Sequence, residues 1–258
     1  MSLPYDKQVA VVTGGSSGIG LATVRLLLEQ GASVAFCARG ESRLNDVAAV
    51  LARDYGADRI LWQAFSVLEP EAVNAFAAEV QARFGKVDLL VNNAGQGRVS
   101  TFANTADADW RAEYELKLFS QIYPIRAFVP MLREAKGAIV AVNSLLAYQP
   151  EPHMVCTSSA RAGVQNMLKS LSVELAPDVR VNSVLMGLIE SGQWTRRLVD
   201  RVFSGRGGGG SRWGWAGELS AMGSTSRGAP GRPGCRRSSP CCTIWMTRRR
   251  WRSALAPR

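Results

Sequence analysis

The chain of 258 residues is 47% apolar, carries a formal net charge of +10, and has five cysteines and a single histidine, His153. This is enough chain for one sizeable core, and the cysteines (Cys37, Cys156, Cys235, Cys241, Cys242) are too irregularly spaced for a disulfide framework or, with one histidine, a zinc site. The charge is local: residues 1–203 hold 20 of the 31 Lys+Arg and 20 of the 21 Asp+Glu, while 204–258 hold 11 Arg and one acid, Glu218.

From Lys7 to about Ser191, short β-rich runs alternate with longer amphipathic stretches. The first strand, KQVAVV (7–12), leads through a glycine-rich turn into a helix at 18–30. Strand SVAFCA (33–38) and helix 41–55 follow, then ILWQAF (60–65) with helix 69–84, and VDLLV (87–91) with helix 107–134. GAIVAV (137–142), helix 157–176 and VRVNSVL (179–185) complete the series. Gly31 follows the first helix, Pro70 opens the third and Pro177 stops the last, as helix punctuation requires. Alternation of this kind predicts an α/β Rossmann-type fold: a doubly wound parallel sheet with helices on both faces, in three α/β/α layers.

Beyond Phe203 the periodicity stops. Residues 204–258 contain 11 Gly, 11 Arg and 4 Trp, with Leu219, Ile244 and Leu255 as the aliphatic residues. Such a segment buries too little surface to offset ordering entropy, so a disordered or loosely packed basic tail is expected, without a normal seventh strand. Two origins are open. A basic arm would pair phosphates through Arg248-Arg249-Arg250-Trp251-Arg252, whereas a shifted reading frame in GC-rich DNA would yield this composition without function. The second is preferred, which argues against nucleic acid as a partner. The expected division is an α/β domain over 1–203, whose glycine-rich turn between strand and helix marks it as dinucleotide-binding, and the tail over 204–258. With no basic and then apolar leader at the N-terminus, and no run near the roughly 20 apolar residues that span a bilayer, a cytoplasmic protein with no membrane partner is expected.

The turn Gly14-Gly15-Ser16-Ser17-Gly18-Ile19-Gly20 lies between a strand and a helix. Glycines there allow a tight turn and close approach of backbone to a pyrophosphate, and the helix N-terminus supplies N–H donors and the positive end of its dipole. The bland alternative is a helix cap with incidental glycines. The spacing Gly14-x-x-x-Gly18-x-Gly20 within TGGSSGIG, together with VDLLVNNAG at 87–95, resembles the short-chain dehydrogenase/reductase (SDR) family from about residue 5 to 191.

The resemblance implies hydride transfer between a nicotinamide cofactor and a small carbonyl or alcohol. It places Gly14, Ser16, Ser17, Gly18, Ile19 and Gly20 on the pyrophosphate side of the cofactor, and Asn92, Ala94 and Gly95 near its adenosine side. Asn93 reads equally as a turn residue. After the sixth strand, Gly187 and Ser191 occupy the stretch that meets the nicotinamide carboxamide. Arg39, at the end of the second strand where an acid would hold a ribose hydroxyl, favours NADP(H) over NAD(H), with Arg43 a weaker partner. Ser66 replaces the usual aspartate at the adenine.

The family's catalytic pattern is altered. Ser144 fits the serine that orients the carbonyl, but Thr157 and Arg161 stand where Tyr-x-x-x-Lys is expected, and Lys117 takes the asparagine position. An aliphatic hydroxyl is a far weaker acid than a phenol, and an arginine does not release its proton. Lys117, Tyr148 and His153 are the alternative proton donors, each of which reads also as an ordinary surface, pocket-wall or loop residue. The expected function is an atypical NADP(H)-dependent oxidoreductase, the alternative a catalytically impaired NADP(H)-binding pseudoenzyme or sensor. A homo-oligomer is expected where the C-terminal region folds.

Overall fold

The structure is a computed structural model that describes residues 3–187, Ile189 and the strand at 243–246. Ser191, residues 192–203 and all of the tail except that strand lie outside the described residues.

Strands β1 (Val9–Thr13), β2 (Ser33–Ala38), β3 (Ile60–Ala64), β4 (Leu89–Asn92), β5 (Ala138–Ser144) and β6 (Arg180–Met186) alternate with helices α1 (Gly18–Glu29), α2 (Glu41–Tyr55), α3 (Pro70–Phe84), α4 (Asp107–Glu134) and α5 (Val155–Glu174). All strand pairings are parallel, in the order β3-β2-β1-β4-β5-β6, the doubly wound order expected. Side chains alternate between the two faces of the sheet. Val11, Ala35, Leu90 and Ile139 join Phe76, Phe128, Leu132 and Leu168 in one core. Ala10, Val12, Val34 and Phe36 join Val24, Leu27, Leu28, Leu44 and Leu51 in the other. Phe36, Phe76 and Phe128 are each fully buried, which stabilises the fold by roughly 1.5–3 kcal/mol per side chain.

One expectation is corrected. A seventh strand, β7 (Thr243–Met246), pairs in parallel with Ser183–Met186 of β6, so β6 is not an edge. The run Thr-Ile-Trp-Met has the β-branched and aromatic character of a strand, which the surrounding Gly, Arg and Cys obscure in the sequence.

Cys37 and Cys156 are free and buried. Burial pushes the Cys37 thiol up to about 12, which makes it an inert core residue although it lies beside the glycine turn: the backbone N–H groups of Gly14 and Gly15 both donate to its carbonyl oxygen.

Candidate active site

Reversal of strand order between β1 and β4 opens a crevice at their C-terminal ends, and the glycine turn sits there. Gly14 and Gly18 have φ of +72° and +54°, a conformation glycine adopts at no steric cost. Gly20 is required for space: a Cβ there would lie 2.1 Å from the Gly14 carbonyl oxygen and 2.6 Å from Asn93 Nδ2. Around Gly18 the space is open. Ser17 is the N-cap of α1, exposed and without a side-chain capping bond, while Ser16 is buried and Ile19 is partly buried. The cradle thus has the shape and exposed helix N-terminus that a dinucleotide pyrophosphate needs.

Asn93 proves to be the brace of this turn. Its Nδ2 donates to the carbonyls of Thr13 (3.0 Å) and Gly14 (3.2 Å). The Thr13 hydroxyl in return accepts from the backbone N–H groups of Asn93 and Ala94, both at 3.0 Å. Asn92 ends β4; it is 0% exposed, and its Nδ2 donates to the Gln121 carbonyl of α4 at 3.3 Å. Ala94 is half-buried and Gly95 exposed at the crevice.

Arg39 directly follows β2 and is exposed, as is Arg43 on the first turn of α2. Arg39 makes no salt bridge or side-chain hydrogen bond among the described residues, so its guanidinium is available to an anion. Ser66 instead caps a local turn, accepting from the Leu68 N–H at 3.3 Å. Gly187 is exposed at the end of β6.

The three residues at the altered catalytic positions form one knot between α4 and α5. Thr157 and Arg161 lie one turn apart on α5, and Glu113 and Lys117 one turn apart on α4. Glu113 and Lys117 are each 2% exposed, and their ion pair is 3.0 Å long. The Thr157 hydroxyl, also buried, donates to Glu113 Oε1 at 2.5 Å and accepts from the Arg98 N–H at 3.3 Å. Lys117 Nζ donates in addition to the Gln96 carbonyl. Lys117 is therefore no surface lysine, and the like charge of Arg161 is offset by a carboxylate that sequence reasoning missed.

Arg161 reaches across to β5. Its Nη1 donates to the Val142 carbonyl at 3.0 Å and lies 3.4 Å from Asn143 Oδ1, and Asn143 is held in turn by Gln165, which also accepts from Ser183. Burial lowers the Arg161 guanidinium to about 10, an effect opposed by the Glu113 charge, so it stays cationic at neutral pH. Its Nε is shielded from solvent and has no partner, and Nη2 is the nearest group to an imagined Cβ on Gly95, at 4.0 Å. The guanidinium fork thus borders the crevice at Gly95 through Nη2, a fit for ribose hydroxyls of a dinucleotide. Ser144 follows Asn143 at the end of β5, and its Oγ accepts from the Leu146 N–H at 3.2 Å. Tyr148 and His153 lie apart from the buried knot as exposed residues of the segment between β5 and α5.

Comparison with known proteins shows the family to which this fold belongs. The short chain dehydrogenase family model matches residues 8–200, and the chain belongs to that family. A short chain oxidoreductase of Pseudomonas aeruginosa PAO1, solved with NADPH bound and described as containing an atypical catalytic center, is 52% identical, with a TM-score of 0.75 over 85% of this chain and 83% of that one. L-Sorbose reductase from Gluconobacter frateurii, solved with NADPH and L-sorbose, is 33% identical with a TM-score of 0.75, over 86% of this chain and 82% of that one. The 11-beta-hydroxysteroid dehydrogenase 1A of Arabidopsis thaliana is 32% identical over 204 residues, 79% of this chain but 57% of that protein. The chain therefore spans little more than half the length of this plant relative. Among the described residues, no helix is long and apolar enough to cross a membrane.

Proposed function

We propose that the chain is an NADP(H)-dependent oxidoreductase acting on a small carbonyl or alcohol, with the dinucleotide held on Gly14–Gly20, Arg39 and Arg161. The observation that carries this reading is the meeting of a fitted glycine cradle with the Lys117, Thr157 and Arg161 knot at one end of the sheet. When bound, the nicotinamide supplies or accepts the hydride. Ser144 orients the substrate oxygen, the Arg161 guanidinium holds ribose hydroxyls, and Lys117 Nζ holds the proton that the oxygen needs. Thr157 does not donate to substrate, because its one proton is committed to Glu113.

That same commitment favours a second reading, an NADP(H)-binding pseudoenzyme or sensor. Fluorescence titration with NADPH followed by a carbonyl panel in the same cuvettes separates the two: binding with turnover supports the oxidoreductase, binding without turnover the sensor. Arg39→Asp is expected to weaken NADPH at least about tenfold, the loss of one charge-assisted phosphate contact, and to leave NADH affinity unchanged or improved. Equal weakening of both cofactors would show that Arg39 does not read the 2′-phosphate.

A further inference from the structure

We infer that Glu113 is a positioning residue that keeps Lys117 protonated and fixed in aim, while drawing the Thr157 hydroxyl out of the proton path. The inference rests on the proposal that Lys117 holds the substrate's proton, and it adds a role for a residue outside the serine, asparagine, tyrosine and lysine positions.

The geometry is a pair of helical repeats set face to face. Glu113 precedes Lys117 by four residues, the favourable orientation for such a pair on a helix, and Thr157 precedes Arg161 by four on the helix packed against it. Several groups surround the Lys117 ammonium. Glu113 lies 3.0 Å away on its own helix. The α5 helix brings Thr157, bonded to that carboxylate, and Arg161, whose charge acts on it. From the segment after β4 come the Gln96 carbonyl and Arg98, whose guanidinium is itself paired with Asp109.

Two cations in one shielded site would drive the weaker one to shed its proton. Arginine is not that one, so Lys117 would become a neutral amine without a counter-charge. Glu113 supplies the counter-charge. In the reductive direction the Lys117 Nζ–H bond would break and its proton would form an O–H bond on the carbonyl oxygen, and a bound reduced nicotinamide cofactor would supply the hydride that the carbon needs. The amine then regains a proton from water. The hydroxyl of Thr157 accepts from Arg98 N–H and donates to Glu113, which uses its only proton.

The chain has five lysines, Lys7, Lys86, Lys117, Lys136 and Lys169, and all except Lys117 are exposed. Full-length protein labelled at lysine 13Cε therefore gives five NMR signals, four assignable by Lys→Arg replacements at exposed sites and the fifth belonging to Lys117. In the wild type, Lys117 is expected to titrate above the four exposed lysines. In Glu113→Gln its midpoint should fall by at least about one pH unit, the size of a close opposite-charge effect, and in Glu113→Asp it should stay high. The alkaline limb of NADPH-dependent reduction should move with it while KM for NADPH holds.

A wild-type Lys117 midpoint at or below those of the exposed lysines, or one unmoved by Glu113→Gln, would overturn the inference. Should Glu113→Gln not fold, the wild-type titration alone decides. Absence of turnover beside the expected titration would remove the oxidoreductase reading and leave the charge-setting role of Glu113 supported.

Discussion

Gly20→Ala is expected to weaken NADPH binding by on the order of a hundredfold or more, a loss of about 2.7 kcal/mol. One methyl group has this effect because of what it meets. The added Cβ would lie 2.1 Å from a backbone oxygen and 2.6 Å from the Asn93 amide that braces the turn. The first is backbone, and the second, although a side-chain end, is held by its bonds to the Thr13 and Gly14 carbonyls, so the turn itself must open and the pyrophosphate cradle is lost. Overpacking of this kind also costs about 1–3 kcal/mol of stability. Gly40→Ala is the control, since nothing lies within 4 Å of a Cβ there. Gly18→Ala should fall between them, with free space but a φ of +54° that costs about 1–2 kcal/mol for a residue with a Cβ. Isothermal calorimetry of the three variants gives the order, and an unweakened Gly20→Ala would show that the cofactor does not use this turn.

Lys117→Met is expected to be the most damaging change in the catalytic knot. It leaves Glu113, 2% exposed, as a buried carboxylate without its ion-pair partner, and breaking a buried pair from one side costs about 3–5 kcal/mol. The lower end applies, because Arg161 still compensates part of the charge. At roughly 2–4 °C per kcal/mol for a chain of this size, Tm should fall by about 6–12 °C. The double variant Glu113→Leu/Lys117→Met should recover most of that loss, since replacing both partners of a buried pair by apolar groups is often neutral. A double-mutant cycle by thermal unfolding measures the coupling. Additive single effects would mean that the two residues do not act as a pair. Activity is expected to be lost in both variants, so stability and chemistry separate cleanly.

Much of the fold is legible in the sequence because both sheet faces are covered and strands therefore appear as apolar runs. The α2 and α4 helices have the bounds expected from the sequence, Glu41–Tyr55 and Asp107–Glu134. In α4 this holds even though Pro124 and Pro130 each remove a helical N–H; burial of Phe128 and Leu132 against the sheet supports the helix through them. The short β7 was hidden by its neighbours, since four strand-forming residues carry little weight among glycines and arginines. At the site, the glycine turn was readable from local spacing. Glu113 was not, because Glu-x-x-x-Lys on a helix is the pattern of a solvated surface pair, and only the packing of α5 makes it a buried one. The available signal was the coincidence of that pair with two positions already singled out, Lys117 and, four residues after Thr157, Arg161. Asn93 looked like a turn residue because bonding to residues 79–80 positions earlier in the chain leaves no local trace.

The bonds between Thr13, Asn93 and Ala94 tie the turn after β1 to the segment after β4. Two residues beyond Ala94, the same segment presents the Gln96 carbonyl to Lys117. Whatever seats on the turn therefore settles the acceptor that aims the ammonium, and whatever engages the ammonium settles the turn. Such linkage is reciprocal by thermodynamic necessity. Cofactor affinity measured with saturating substrate, and substrate affinity measured with saturating cofactor, are expected to improve by the same factor, so that occupancy of one site orders the other.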